Sequence, residues 1–409
     1  MPEQAIGLLG IAALFGIAML LSTNRRAISL RIVASAFALQ FTIAAFVLRF
    51  PLGQRLIEAA SGVVQAVIDY SRAGINMVFG NLADASAGIV FAVHVLPILI
   101  FFGALMGVLY HIGVMQLIVR SVGGALQWTI GTHKIESINA AANVFVSQTE
   151  SPLVIKPYLK GVSDAQLFTI MVSGVASVAG SVLAAYAQMG VRLDYLLAAT
   201  FMAAPGGLLM AKLIMPDDPD YEAEHPAETE LASKPVKQGN VILAAATGAE
   251  DGLRLAVNIA AMLIAFVSLI ALFNGIVGGI GGMFGAEDLT LERILGTIFA
   301  PLMFLCSVPW SEAHIAGALF GEKLVLNEFV AFYHMGDIID TLSPRTELIV
   351  TISLCGFANL SSIAILLGGL GSLIPDKRNL IGRFGLRAVA AGSLSNLMSA
   401  TLAGLMLNI

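Results

Sequence analysis

Charge is what this chain has least of: 12% of its 409 residues are Asp, Glu, Lys or Arg, against 57% hydrophobic residues. That balance excludes an ordinary soluble domain and makes lipid the solvent. The formal net charge of −5 owes much to the segment from Pro216 to Glu230, and no basic stripe occurs anywhere, so a nucleic-acid partner is not indicated. Cysteine is nearly absent. Cys306 and Cys355 both lie inside apolar stretches, which excludes a disulfide framework and fits two small buried hydrophobes. The six histidines, His94, His111, His133, His225, His314 and His334, show no His-Glu-x-x-His spacing, and Gly-x-Ser-x-Gly is missing as well. Nothing here suggests an activated nucleophile or a catalytic metal, so no enzyme is expected. No basic segment precedes the first apolar run, Ala5 to Leu21. Arg25 and Arg26 follow it and a second apolar run starts at once, the pattern of a first transmembrane helix and not of a cleaved leader.

What is present is a series of apolar runs. A spanning helix needs about 20 such residues, and on that requirement crossings are expected near 5–22, 29–49, 89–118, 165–189, 193–214, 252–281, 345–371 and 384–408, eight in all. Residues 55–82 mix Leu56, Ile57, Val64, Val67, Ile68, Ile75 and Val78 with Glu58, Asp69 and Arg72, which predicts an amphipathic helix lying in the interface. Two further segments, 133–160 and 312–336, are apolar but too interrupted to span and read as re-entrant helical hairpins. The fold class expected is an all-α integral membrane protein with two hairpins of opposite orientation. Arg25, Arg26, Arg31, Lys156, Lys160, Lys234, Lys237, Lys377, Arg378 and Arg383 fall on one side of this topology, which the positive-inside rule makes cytoplasmic, with both termini outside.

The hairpins carry the two least expected residues. Glu150, in Ser147-Gln148-Thr149-Glu150-Ser151-Pro152, and Glu328, in Leu326-Asn327-Glu328-Phe329, sit at their tips. A carboxylate near a bilayer centre costs roughly 2.5–3.5 kcal/mol on insertion scales, so such a residue marks a binding site by default. Polar clusters follow at similar intervals: Ser177 lies 27 residues beyond Glu150, and Asn359 lies 31 beyond Glu328. Hairpin, broken helix and further helix therefore occur twice, as inverted repeats do in secondary transporters. Gly174 and Gly180 in one unit, and Gly356 with Asn359, Ser361 and Ser362 in the other, supply local causes for the breaks. Small residues of this kind also mark simple helix packing, but Glu, amide and hydroxyl groups recurring together in matched units favour a site.

The stretches Asn143-Val144-Phe145-Val146-Ser147-Gln148-Thr149-Glu150-Ser151-Pro152, Asn327-Glu328-Phe329-Val330-Ala331-Phe332 and Cys355-Gly356-Phe357-Ala358-Asn359-Leu360-Ser361-Ser362-Ile363 resemble the core motifs of the concentrative nucleoside transporters, in their eight-helix bacterial form, and Leu386 to Ala400 is similar too. The resemblance runs from about residue 89 to the end. It implies a homotrimer in a bacterial inner membrane, each protomer having a scaffold part and a mobile transport part. On this reading the domains are 1–118 (N-terminal scaffold helices), 119–214 (first transport repeat), 215–251 (polar cytoplasmic linker), 252–281 (scaffold helix) and 285–409 (external helix and second transport repeat). It further implies that Gln148, Thr149 and Glu150, with Val182, face a nucleoside base, that Glu328, Asn359 and Ser362 bind the ribose, and that Phe357 packs against sugar or base. For a coupling sodium ion it implies the side chains of Asn143 and Ser177 and the carbonyls of Val146 and Val178. The family commonly has Gly where this chain has Ser147.

Elementary chemistry agrees with a neutral, hydroxyl-rich ligand. Vicinal ribose hydroxyls donate well to an ionised carboxylate, and Gln148 and Thr149 can both give and accept bonds to a base. Neither tip nor either helix break contains arginine, so a phosphate or dicarboxylate would meet two glutamates without a guanidinium fork. No organic cofactor is called for. The expected function is sodium-coupled symport of uridine-like nucleosides into the cell by alternating access. A proton loaded on Glu150 or Glu328, or a passive facilitator, are the other readings these residues leave open.

Overall fold

The computed structural model describes residues 3–84, 90–218, 239–283, 285 and 289–407, and among these every regular element is helical. Helices α1 (Glu3–Leu20) and α2 (Leu30–Arg49) lead to α3 (Pro51–Phe79), which starts with proline at its first turn and matches the expected interfacial helix within a few residues. Ile57, Ile68, Ser71 and Ile75 are buried while Glu58, Asp69 and Arg72 are exposed, so one stripe of a 3.6-residue period faces protein.

The expected span 89–118 is not one helix. After the short turn Phe91–His94, α4 (Leu96–His111) ends before Gly113, whose φ of +89° is open to glycine at little cost, and α5 (Val114–Ile130) begins after it. The α5 stripe Met115, Val119, Gly123, Leu126 and Ile130 is buried, whereas Leu117 and Trp128 are exposed. A continuous apolar run concealed this corner in the sequence.

Both hairpins are present. The first has α6 (Lys134–Asn143) as one arm and the one-turn helix Ser151–Val154, running into the 3₁₀ stretch Lys156–Gly161, as the other. The second has α12 (Trp310–Val325) and α13 (Glu328–Ile338) as arms and follows α11 (Leu291–Leu305). After the first come α7 (Asp164–Ala176), a break, α8 (Gly180–Gln188) and α9 (Leu193–Ile214). After the second come α14 (Pro344–Leu354), a break, α15 (Ser361–Gly368) and α16 (Arg378–Met406), the last starting earlier than the expected 384. The first break falls at Ser177–Ala179, so Gly180 opens the next half-helix, but Gly174 lies inside α7 and breaks nothing. Its role is close approach: a Cβ there would meet the Gln148 Cβ at 2.9 Å.

In each unit the hairpin packs against the helix that precedes it, α5 on α6 and α11 on α12. A Cβ on Gly123 would collide with Ile138, and one on Gly317 with the Ala300 nitrogen. Two backbone bonds repeat the relation at the tips: Gly180 N–H donates to Phe145 O at 3.2 Å, and Leu360 N–H donates to Leu324 O at 3.0 Å.

Between the units runs α10 (Val241–Met283), 43 residues long. The expected polar linker 215–251 is thus too long at its C-terminal end, since helix begins at Val241, and residues 219–238 of it lie outside the described residues. The Gly275–Met283 stretch continues the helix. At 1.5 Å per residue α10 measures about 65 Å, roughly twice a ~30 Å hydrocarbon layer. It crosses α4 through two Gly-x-x-x-Gly pairs, Gly103/Gly107 and Gly248/Gly252, where a Cβ on any of them would strike a carbonyl oxygen of the other helix.

Six described helical stretches are long and apolar enough to cross a membrane unaided: α2, Phe91–His111, Asp164–Gln188, α9, α10 and Pro375–Met406. The other two expected crossings are α1, which is short, and the α14–α15 pair, which is broken. The windows of Asp164–Gln188, α9 and Pro375–Met406 are each 89% buried against 17% for α10, so these three stretches form the packed centre and α10 an apolar flank.

Candidate functional site

The first tip is held at base and end. His133 N–H donates to Glu136 at 3.1 Å, starting α6 with a capping box. Fully buried Glu136 is in turn paired with Lys212 of α9 at 2.6 Å, and Lys212 also bonds Asp217. From this anchor α6 runs buried to Asn143, whose amide donates to Asn139 O at 3.0 Å and whose Oδ1 accepts from Ser151 Oγ at 2.8 Å, closing the tip. Inside the loop, Glu150 Oε2 accepts the Ser147 N–H at 3.1 Å, and the Ser147 and Thr149 hydroxyls lie 3.0 Å apart. Glu150 is exposed and turned back on its own loop. Gln148 is buried, donating from Nε2 to Ser362 Oγ of the other unit at 3.3 Å while its Oε1 has no partner.

The second tip is built on a helix start. Asn327 caps α13 by accepting the Val330 N–H at 3.0 Å, which puts Glu328 at the first helical position, where the helix dipole favours an anion. Its side chain is buried. Oε1 accepts from Tyr186 Oη at 3.2 Å and Oε2 accepts from Asn359 Nδ2 at 2.8 Å. Asn359 Oδ1 accepts from the Ser361 hydroxyl at 2.7 Å and the Ser362 N–H at 2.9 Å, so its amide has one consistent orientation, with NH₂ toward the carboxylate. Ser362 Oγ also donates to Phe357 O.

The two breaks touch. Phe357 N–H donates to Ser177 O at 3.2 Å, and Ser177 Oγ donates to Ser173 O at 3.0 Å, which leaves that hydroxyl's lone pairs free. The bonds of the first tip's turn start from Ser147 O and those of α8 from Ala179 O, so the Val146 and Val178 carbonyls precede both turns. A Cβ on Gly174, one turn before Ser177, would lie 3.9 Å from Asn143 Oδ1. Asn143 Oδ1 thus lies beside the last turn of α7, which runs into the first break at Ser177.

Among the residues singled out from sequence, the structure joins Gln148 to Ser362 and Glu328 to Asn359, and brings Phe357 onto the Ser177 break. Thr149 lies with its methyl against Gly369, after α15. Val182 is buried one turn before Tyr186 on α8. Glu150 makes no bond to the others in this state.

Three residues were not singled out. Tyr186 is buried against the rings of Phe329 and Phe332, with centroids 4.9 and 4.3 Å away, and its hydroxyl reaches Glu328. In the sequence it is one aromatic in an apolar helix, and only its spacing of four from Val182 marks it. Lys323, five residues before Glu328 and on the other arm of the hairpin, is fully buried, a sign the sequence did carry in an unlikely lysine within an apolar arm. Asn396 of α16 lay within the recognised closing stretch but had no assigned role.

Three family models match the chain: "Na+ dependent nucleoside transporter N-terminus" over residues 9–82, "Nucleoside recognition" over 92–192, and "Na+ dependent nucleoside transporter C-terminus" over 195–404. Nucleoside permease NupC of Helicobacter pylori is 48% identical over 418 residues, covering 100% of this chain and 99% of that protein. Sodium/nucleoside cotransporter 1 of Rattus norvegicus is 36% identical over 420 residues, covering 99% of this chain and 64% of that longer protein. Among solved structures, CNTnw in an inward-facing substrate-bound state is 50% identical with a TM-score of 0.93, covering 99% and 98% of the two chains. An outward-facing state of a CNTnw variant is 49% identical with a TM-score of 0.94, covering 99% and 97%.

Proposed function

The chain belongs to the Na+ dependent nucleoside transporter family, and from that premise we propose that it carries nucleosides into the cell together with sodium, by alternating access. Membership makes it a membrane transporter and not an enzyme, with two re-entrant hairpins of opposite orientation in an inverted repeat. The observation that carries the finer reading is the joining of the two tips to one broken helix: Gln148 bonds Ser362 and Glu328 bonds Asn359. A nucleoside seated between the tips takes its base against Gln148, Thr149 and Glu150, with Val182 as apolar wall. Its ribose hydroxyls donate to Glu328 beside Asn359 and Ser362, with Phe357 packing alongside. The unpartnered Gln148 Oε1 offers an acceptor for a base N–H.

Sodium, as co-transported ion, binds the side chains of Asn143 and Ser177 and the carbonyls of Val146 and Val178. Because Asn143 also holds Ser151 across the tip, an ion there orders the same loop that presents Gln148. Ion and nucleoside then share a coupling free energy, each tightening the other equally. A proton on Glu328 fits less well, since both its oxygens accept hydrogen bonds, as expected of an ionised carboxylate.

The same reading divides the protein into a scaffold of α1–α4 with α10 and a transport part made of the two repeats. It places both termini outside, in the inner membrane of a bacterium, and assembles three copies. The apolar residues that α10 leaves exposed, Ile264, Leu272, Ile276 and Ile280 among them, are available to lipid or to a neighbouring protomer. Calorimetric titration of the purified protein with uridine tests the proposal. Saturable binding that tightens about tenfold or more when sodium replaces choline is expected, and binding indifferent to sodium contradicts the coupling.

A further inference from the structure

Lys323 and Asn396 form a cross-tie that the transport scheme above does not use. Lys323 is 0% exposed, on the first arm of the second hairpin, and has no ion pair among the described residues. Its Nζ donates to Ser353 O at 2.7 Å and to Asn396 Oδ1 at 2.8 Å. The Asn396 amide donates onward to Ala176 O at 2.7 Å and Cys355 O at 3.1 Å. Ala176 is the last residue of α7, and Ser353 and Cys355 flank the last residue of α14. One amine and one amide thus serve carbonyls at the C-terminal ends of both half-helices, where orphan acceptors and partial negative charge collect. Gly356 has no side chain to obstruct the tie, since a Cβ there would strike Asn396.

The internal symmetry gives this tie a meaning. In the first repeat, the end of a hairpin arm meets its broken helix where Gly180 N–H donates to Phe145 O and Asn143 Oδ1 lies beside Gly174, next to the proposed sodium site. In the second repeat, the end of the arm meets its break through Lys323 and Ser353 O. We propose, resting on the sodium-coupled reading above, that the Lys323 ammonium takes at the second break the place that a mobile sodium ion takes at the first. Asn396, bonded to Ala176 just ahead of Ser177, is the positioning residue that connects them. The second break then needs no ion of its own, and one sodium accompanies each nucleoside.

Sodium activation of uridine uptake in proteoliposomes tests this. Wild type activates with a Hill coefficient near one. Wild-type uptake without any sodium dependence refutes the underlying reading and is distinguishable from every variant result. In Asn396→Ala, half-saturating sodium rises about fivefold or more, while the uridine KM at saturating sodium changes less than twofold. In Lys323→Ala the vacated place admits a second ion, so the Hill coefficient rises toward two. In Lys323→Gln, which donates without charge, uptake falls at least tenfold. Wild-type sodium activation in folded Asn396→Ala, or an unchanged Hill coefficient in Lys323→Ala, or wild-type uptake in Lys323→Gln, overturns the proposal. If the lysine variants do not fold, Asn396→Ala decides alone.

Discussion

Glu328 sits at a helix N-terminus where one oxygen accepts from Tyr186 and the other from Asn359, with no cation bonded to it among the described residues, so an entering hydroxyl can replace one of these donors. On the proposed reading a ribose hydroxyl competes here with a tyrosine and an amide and not with an arginine. Hydrogen bonds to charged groups contribute about 1.5–3 kcal/mol, so Glu328→Gln is expected to weaken ribonucleosides roughly 10- to 100-fold and to affect analogues lacking ribose hydroxyls much less. Competition of such analogues against labelled uridine measures this, and equal losses for both sets contradict the sugar role. Tyr186→Phe removes one donor from Glu328 while keeping the ring packed on Phe332, and several-fold weaker nucleoside binding with an unchanged melting temperature is expected. Asn143→Ala and Ser177→Ala are each expected to raise half-saturating sodium about tenfold, equivalent to about 1.4 kcal/mol; activation that stays at wild-type levels in both removes the ion from this place. Gln148, Glu328 and Asn359 stood out in the sequence because a carboxylate or amide in an apolar run is improbable without a use, and the structure pairs Gln148 with Ser362 and Glu328 with Asn359. Tyr186 was not, since an aromatic there is ordinary and only the fold brings it to Glu328.

At the scale of helices, packing is decided by where side chains are missing. Gly103, Gly107, Gly248 and Gly252 let the α4 and α10 backbones touch, and Gly174 lets the first tip settle on α7. Gly252→Leu is expected to force α4 and α10 apart and to destabilise the protein by about 1–3 kcal/mol, read as a lower melting temperature in detergent. Gly174→Val has a different signature, because it displaces Gln148 and so loses uridine binding before it loses fold. Both hairpins, the interfacial α3 and most spans were legible from hydropathy and interruption alone. The corner at Gly113 was not, because Leu96 to Met115 reads as one apolar run and a single glycine does not announce a turn. The break at Ser177–Ala179 was placed approximately, at glycines on either side, since serine and alanine also occur inside helices and the break is sustained by the bonds from Asn396 and Phe357 to Ala176 O and Ser177 O.

At the scale of the whole molecule, a densely packed pair of repeats lies beside thinly buried apolar helices, as expected if the repeats move as a body and α10 with its neighbours stays in the lipid. The account's central claim is coupling. Its most direct test is accumulation of labelled uridine in proteoliposomes holding the purified protein under an inward sodium gradient, a proton gradient, or neither. Sodium-driven accumulation above the external concentration, absent with protons alone, is the result predicted. Accumulation driven by protons alone, or equilibration without accumulation under every gradient, would contradict it.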